Sequence, residues 1–345
     1  MSAGHVVIDT ASLFDATALD RWLGANLSGY AGSLTIAPIF GGQSNPTYVL
    51  RTPGAAYVLR KKPPGILLPS VHAIDREYRV MSALAGSGVP VPHQLIYCRD
   101  RDIIGTEFII MEYVAGRVFR DPQLAGLQPR ERQAIYRSLN ETLAMLHRVD
   151  FAAIGLTDFG KPQDYCARQT ARWTKQYRAS ETHRIDAMEA LIDWLPQHLP
   201  AEESVALVHG DFRLENVIVD AQQPKIVAVV DWELSTLGNP FADLAHCCML
   251  YHLPPDAFGG FLSADLAKLG IPDERAFLTA YCAHRSIERV ADWRFYMTFA
   301  LFRLAAIMQG VYARARQGNA SSPDALERGA KAALCAQSGW AVARS

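Results

Sequence analysis

Residues 205–233, VALVHGDFRLENVIVDAQQPKIVAVVDWE, constrain this chain more than any other stretch. Two apolar runs, VIV and KIVAVV, flank DAQQP, a string that favours a turn. The pattern reads as strand, loop, strand, turn, strand. His209, Asp211, Asn216, Asp231 and Glu233 all fall where apolar runs end. Short loops held by flanking strands are where a chain carries reactive groups. A hairpin across DAQQP would bring Asn216 and Asp231 to the same end, although they are distant in sequence.

The spacing selects a chemistry. His209-x-Asp211 is followed by four residues and Asn216, and Asp231 comes 20 positions after Asp211. Protein kinases carry His-Arg-Asp, four residues and Asn, followed later by a metal-binding Asp-Phe-Gly. Here HGDFRLEN fills the first part and DWE stands in place of the second. Phosphoryl transfer needs a carboxylate at the attacking hydroxyl, plus an amide and a carboxylate on Mg²⁺. Asp211, Asn216 and Asp231 can supply all three. Any one of them alone reads as a loop cap or a strand end. All three at this spacing, with a hairpin between, point to a site.

Composition adds exclusions. Half of the 345 residues are hydrophobic, a fifth are charged and the formal net charge is −1. That is ordinary for a globular protein and gives no reason to expect a nucleic-acid or membrane-surface partner. Six cysteines without C-x-x-C spacing, two of them adjacent (Cys247 and Cys248), read as free thiols in a reducing compartment. The N-terminal stretch lacks a basic region and a continuous apolar core, so it is not expected to be a signal peptide, and a cytoplasmic location is expected. The most apolar late stretch, residues 295–311, contains Arg303 and Gln309 and reads as a buried helix too short to span a membrane.

Ahead of the central stretch the chain alternates as strands. An amphipathic helix is expected over 12–27, then strands at 34–40 and over TYVLR, with GGQSN between them. Gly41 and Gly42 allow a tight turn, and Gln43, Ser44 and Asn45 offer backbone donors to phosphate. The full G-x-G-x-x-G is absent, and a plain hairpin fits the stretch as well. AAYVLRKKPP is a third strand. Alternation puts Val58 and Arg60 on one face and Lys61 on the other. Arg60 then stands where kinases present a phosphate-binding lysine, with Val58 against the nucleotide base; Lys62 reads as a solvated strand end. Helical spacing over 75–84 places Glu77 where it can pair with Arg60, and Asp75 where it can cap. Residues 63–72 read as a loop and 103–114 as one apolar, central strand. In MEYVAG, the Glu112 carbonyl and Val114 N–H can meet an adenine, with Met111 behind it; an ordinary strand end is the bland alternative.

After Gly116 the pattern turns helical. Helices are expected over 130–149, 164–178, 186–195, FADLAHCCML, 273–287, 290–316 and 323–340. The DFG at 158–160 precedes the His209 loop, so it reads as a loop and not as the metal ligand. His147 reads as a packing residue at a helix end. Asp243 is placed either to cap its helix or to bind the catalytic-loop backbone. His246 and His252 with Cys247 and Cys248 fit no common zinc spacing. Between Pro240 and Arg316 there are seven Asp/Glu and eight Lys/Arg, a balance that disfavours a polycationic acceptor. Arg285, Arg289, Arg294 and Arg303 are candidates to meet phosphates, or to form surface ion pairs.

FGGQSNPTYVL, YVLRK, REYRVMSAL, MEYVAG, LVHGDFRLENVIV and VVDWELSTLGNPFADLA together resemble the aminoglycoside phosphotransferase and choline kinase-like superfamily, small-molecule relatives of protein kinases. YVLRKKPPGILLP, IIGTEFIIMEYVAGRVF and GDFRLENVI are similar, more closely, to the kinase domain of acyl-CoA dehydrogenase fusion proteins and to bacterial 4-hydroxyacyl-CoA kinases. The resemblance implies an α+β, bilobal protein-kinase-like fold. An N-terminal antiparallel sheet lobe with a helix (1–115) would bind nucleotide, and a larger, mostly helical C-terminal lobe (116–345) would carry catalysis and the acceptor. It implies ATP and Mg²⁺ as cofactors and a small-molecule hydroxyl, such as that of a CoA thioester, as acceptor; an aminoglycoside or amino-alcohol acceptor is the alternative. Asp211 would orient the hydroxyl. Asn216 and Asp231 would hold Mg²⁺, with Glu233 as an added ligand. Gln43, Ser44, Asn45, Val58, Arg60, Glu77, Met111, Glu112 and Val114 would form the nucleotide site. The stretch up to Ser345 carries no dehydrogenase part, so the resemblance implies that a separate protein would process the product. Two other readings fare worse. A non-catalytic nucleotide binder should have lost one of the three polar residues. A protein kinase needs an activation loop, whereas a helix begins about ten residues after Asp231 here.

Overall fold

The computed structural model describes residues 14–39, 45–63, 74–201, 204–319 and 323–345. The chain divides into two compact units. The first comprises residues 1–86, 90–115 and 228–233, and the second 87–89, 116–227 and 234–345.

The first unit is an antiparallel sheet with a helix on each face. Helix α1 (Ala16–Asn26) starts at Asp15, whose carboxylate accepts from the Thr17 and Ala18 N–H groups at 2.9 Å. The sheet follows as β1 (Thr35–Pro38), β2 (Thr47–Arg51) and β3 (Ala56–Lys61). After helix α2 (Ile74–Leu84) come β4 (Gln94–Cys98) and β5 (Phe108–Glu112). The strand order is β1-β2-β3-β5-β4, so β5 is internal as its apolar run suggests. It is shorter than the 103–114 expected, because the chain turns through Gly105 at φ +81° and becomes extended only afterwards.

Register sorts the two faces. Tyr48 pairs with Leu59, Leu59 with Ile110 and Ile110 with Ile96. Tyr48, Leu50, Leu59, Phe108 and Ile110 are buried together with Leu19 and Leu23 of α1. The intervening residues Val58, Arg60 and Met111 therefore point to the other face, where α2 buries Ile74, Glu77, Val80, Met81 and Leu84.

The second unit contains the long helices α3 (Pro129–His147) and α4 (Tyr165–Ser180), then α5 (Asp186–Trp194). Two small ladders follow. In one, β7 (Val217–Val219) pairs with β8 (Ile226–Val229), whose turn is closed by an Asp220 N–H to Lys225 O bond of 2.8 Å. In the other, β6 (Ala206–Val208) runs antiparallel to β9 (Thr236–Gly238). Strand β9 was not foreseen; three residues are too few to show an alternation. Helices α6 (Pro240–Cys248), α7 (Leu266–Leu269), α8 (Glu274–Arg285), α9 (Trp293–Arg316), α10 (Ala325–Ala330) and α11 (Ala332–Ala343) complete the unit. The single helix expected over 323–340 is thus two, with a break at Lys331.

Helix α9 corrects a length argument. At 24 residues it is long and apolar enough to cross a membrane, but 78 % of its apolar window is buried inside the protein. Its all-round apolarity is that of a core helix, packed by α4, α6, α10 and α11.

Leu59 lies fully buried between strands and α1. Leu59→Ala should lower unfolding free energy by about 2–5 kcal/mol in a urea titration, the usual cost of a large-to-small core change. A loss below about 1 kcal/mol would contradict this account of the core.

Candidate active site

Two clusters of polar side chains stand out, one in each unit. In the first, β3 turns Arg60 toward α2. Its Nε lies 2.9 Å from Glu77 Oε2, and its Nη2 donates to Asp231 Oδ1 at 2.6 Å and lies 3.9 Å from Glu233 Oε2. A planar guanidinium addresses carboxylates from two directions at once, which a lysine point charge cannot do. The pairing with Glu77 is close but off the hydrogen-bond line, so it acts as an ion pair. Burial works against the charge of Arg60, but Glu77, Asp231 and Glu233 outweigh it and hold its pKa above the ordinary value. Glu77 is itself almost fully buried, and desolvation pushes its carboxyl up to about 7 against the pull of Arg60. Asp231 sits at φ +68°, a left-handed conformation that Asp tolerates better than most residues.

The segment carrying Asp231 and Glu233 belongs to the first unit. Val229 N–H donates to Pro90 O at 2.8 Å, and Trp232 N–H donates to Glu77. One guanidinium against three carboxylates leaves excess negative charge on hard oxygen donors. That suits Mg²⁺, which takes one or two carboxylates alongside water and phosphate oxygens. Asp231 and Glu233 would hold the ion here, and bound Mg²⁺ would neutralise charge on a nucleotide.

Other first-unit residues fall as follows. Val58 lies between Val49 and Met111, and Met111 is buried. Glu112 is exposed, and its N–H donates to His93 O at 2.9 Å; Val114 is half-buried. Asn45 is 1 % exposed, and neither atom of its side-chain amide has a partner among the described residues. Gly41, Gly42, Gln43, Ser44 and the 64–72 part of the expected loop lie outside the described residues. Lys61 turns to the α1 face, 5.1 Å over the Phe14 ring, where burial lowers its pKa. Lys62 is not a simple solvated strand end: its Nζ pairs with Glu107 at 3.0 Å.

The second cluster is built on the loop after β6. Gly210 has φ +83°, and a Cβ there would come 2.7 Å from Leu234 O, so only glycine fits without strain. The buried carboxylate of Asp243 on α6 accepts from the His209 and Gly210 N–H groups at 2.8 and 2.9 Å. Of its two expected roles, Asp243 takes the one on the loop backbone. His147 Nε2 lies 3.3 Å from the same carboxylate, and its Nδ1 lies 2.7 Å from Tyr281 Oη. His147 is therefore a hydrogen-bonding member of the loop support as well as a packing residue. Arg303 Nη2 donates to Gly210 O at 2.6 Å, and its guanidinium stacks 5.4 Å over Trp173.

This frame presents Asp211. Asn216 Nδ2 donates to both Asp211 O and Oδ2 at 2.8 Å, which leaves the Asn216 carbonyl oxygen for another partner. His246 Nε2 lies 2.8 Å from Asp211 Oδ1, and Arg213 Nε lies 3.4 Å from it. Burial alone would raise the Asp211 pKa, but the His246 hydrogen bond and the charges of Arg213 and His209 hold it well below the carboxylate range. Asp211 is thus ionised, hydrogen-bonded on both oxygens and a weak base.

His246, considered in the sequence only as a zinc ligand, is a member of the Asp211 cluster that sequence reasoning missed. One signal was available. It follows Asp243 by three positions, hence on the same helix face, so an Asp243 that reaches the loop brings His246 with it. Arg303 was read as a phosphate contact or a surface pair; instead it supports the loop. Arg285 donates to His147 O at 2.6 Å and Arg294 to Ser345 O at 2.8 Å.

A chain with this antiparallel-sheet unit, this helical unit and an Asp211–Asn216 loop of this build belongs to the kinase-like phosphotransferases. The profile of the phosphotransferase enzyme family matches residues 35–282, and the chain belongs to that family. Its structure is similar to that of a Ralstonia eutropha protein provisionally named an aminoglycoside phosphotransferase, with 47 % identity and a TM-score of 0.88 over 96 % of this chain and 98 % of that one. Choline kinase from Cryptosporidium parvum shares the fold at 13 % identity, with a TM-score of 0.64 over 94 % of this chain and 95 % of that one. Mouse acyl-CoA dehydrogenase family member 10 is 49 % identical over 326 residues, 94 % of this chain and 30 % of that protein. Human acyl-CoA dehydrogenase family member 11 is 44 % identical over 322 residues, 91 % of this chain and 41 % of that protein. The chain therefore spans less than half the length of these curated relatives.

Arg60→Met would leave the buried Glu77 without its counter-charge and should cost about 3–5 kcal/mol; adding Glu77→Gln should recover most of it. A carboxyl whose folded pKa lies above its unfolded value keeps its proton better when folded, so its contribution falls as pH rises toward the folded value. The Arg60→Met deficit should accordingly be level in acid and grow as pH rises from about 7, where the wild-type Glu77 ionises beside Arg60 and the variant's, without that counter-charge, keeps its proton. Urea titrations across that range check both points, and a deficit that shrinks with pH would refute the pairing.

Proposed function

We propose that this chain transfers the γ-phosphoryl group of ATP, as its Mg²⁺ complex, to a hydroxyl of a small molecule, with a 4-hydroxyacyl-CoA or a related hydroxy-acid thioester as acceptor. The observation that carries the reading is the ionised Asp211 carboxylate, fixed by Asn216 in the HGDFRLEN loop of a phosphotransferase-family chain. Asp211 would orient the acceptor hydroxyl. The acceptor oxygen forms its bond to the γ-phosphorus as the bond to the bridging oxygen breaks, ADP leaves, and the hydroxyl proton passes to Asp211 and on to solvent. A weak base suits this order of events, because in a loose transition state the proton is shed late. Asn216 and Asp231, with Glu233, would carry the metal. Arg60, paired with Glu77, would serve the phosphates together with Gln43, Ser44 and Asn45. Val58, Met111, Glu112 and Val114 would take the base.

Two things support the thioester acceptor. The curated relatives named above belong to the acyl-CoA dehydrogenase families by name. Arg303 beside the Asp211 loop, its guanidinium held by the Gly210 carbonyl, also favours an anionic acceptor over a polycation. An aminoglycoside or other amino-alcohol is the second reading, favoured by the provisional name of the Ralstonia protein.

Asp211→Ala and Asp231→Ala should each lower ATP-dependent turnover by on the order of 10²–10⁴-fold with circular dichroism unchanged. Either variant keeping wild-type ATP consumption would defeat the assignment. A coupled ADP-release screen of 4-hydroxyacyl-CoAs, free hydroxy acids, kanamycin and choline should give turnover with the thioesters. Turnover of kanamycin or choline alone would replace the acceptor and leave the phosphotransfer reading intact.

A further inference from the structure

On α6, one turn after the residue that clamps the loop, lies an imidazole with an unusual balance of partners. His246 is 5 % exposed. Its Nε2 is 2.8 Å from Asp211 Oδ1, while its Nδ1 is buried and has no hydrogen-bond partner among the described residues. Since Asp211 is a carboxylate and can only accept, the hydrogen must be on Nε2, and Nδ1 carries a bare lone pair. Burial favours that neutral form over the imidazolium, against the pull of Asp211. An unsatisfied buried polar atom is destabilising, so a leucine of similar volume would serve packing better. What the histidine adds is one directed N–H on the carboxylate.

That N–H completes a pair. Asn216 Nδ2 holds Oδ2 at 2.8 Å and His246 Nε2 holds Oδ1 at 2.8 Å. One donor on each oxygen fixes the plane of the carboxylate, because rotation about its terminal bond would break both. Each oxygen keeps a second lone pair for an incoming hydroxyl. Arg213 Nε, at 3.4 Å from Oδ1 and without a hydrogen bond, cannot do the same.

We propose that His246 is a positioning residue of the phosphoryl transfer: as a neutral Nε2–H donor it locks the plane of the Asp211 carboxylate, and it takes no proton from the acceptor. The proposal rests on the phosphotransferase reading above. The hydroxyl proton has no route onto Nε2, which already carries one.

The test uses the full chain with whichever acceptor the wild type turns over, so failure of the functional reading shows as an inactive wild type before any variant is made. Single-turnover rates should be measured alongside KM, since product release limits kcat in many enzymes. His246→Leu should slow the single-turnover step on the order of 10- to 100-fold, the usual effect of losing an outer partner of a functional group, with the KM for ATP nearly unchanged. His246→Gln places its amide nitrogen near the Nε2 position and should restore most of the rate. His246→Asn reaches only as far as Nδ1 and should resemble the leucine variant. Thermal unfolding of all three separates folding defects from these rates. A leucine variant with the wild-type single-turnover rate, or a glutamine variant as slow as the leucine one at equal stability, overturns the proposal.

Discussion

The Asp243 carboxylate is the interaction on which the second unit's chemistry depends. It is nearly inaccessible to solvent, and burying a carboxylate is costly unless every lone pair is used. Here the His209 and Gly210 N–H groups and His147 use it, and the His147 hydrogen bond, with His209 behind it, holds its pKa low despite burial. The loop gains equally. Two backbone donors at a turn containing a left-handed glycine would otherwise lack partners in a dry interior, at about 1–3 kcal/mol each. Because the clamp sits on α6, the same helix delivers His246 to Asp211 one turn later. One buried charge thus sets the loop backbone and, through the helix period, brings the His246 imidazole to Asp211.

The first unit solves a different electrostatic problem. A lysine at position 60 could face one carboxylate well, but the guanidinium faces Glu77 through Nε and Asp231 through Nη2. The segment of residues 228–233 is thereby tied to β3 and α2 by charge as well as by the Val229–Pro90 hydrogen bond. The left-handed φ of Asp231 is tolerable because the surroundings specify it: Trp232 N–H is bound to Glu77, and the indole N–H is bound to Val229 O at 2.9 Å.

What could be read from the sequence follows the period of each signal. Strands with clean alternation, such as YVLRK, gave the right faces for Arg60 and Lys61, and helical spacing placed Glu77 opposite Arg60. The β7–β8 hairpin was legible because its turn residues are distinctive. Signals that depend on tertiary partners were not. His246 is signalled only through Asp243, three positions before it, and Lys62 by nothing in its neighbours; folding gives them Asp211 and Glu107. Strand β9 and the Lys331 break are too short to register as a period. The late apolar run was legible as part of a buried helix, and α9, Trp293–Arg316, extends in both directions past it within the 290–316 expected.

The partners of single arginines were illegible for a related reason. Arg285, Arg294 and Arg303 looked available for phosphate, yet each donates to a backbone carbonyl. A carbonyl occupies donors without cancelling charge, in contrast to Arg178, whose positive charge is met by Glu181 and Glu189. Arg303 therefore cannot reach out as a clamp, but its field still acts on Gly210 and its neighbours, where the screening by water is weakest. Arg213 differs, because its charge is met by Glu215 at 2.9 Å and by Asp211 at 3.4 Å. The field around a loop can thus be set by a cation that binds only the protein's own backbone.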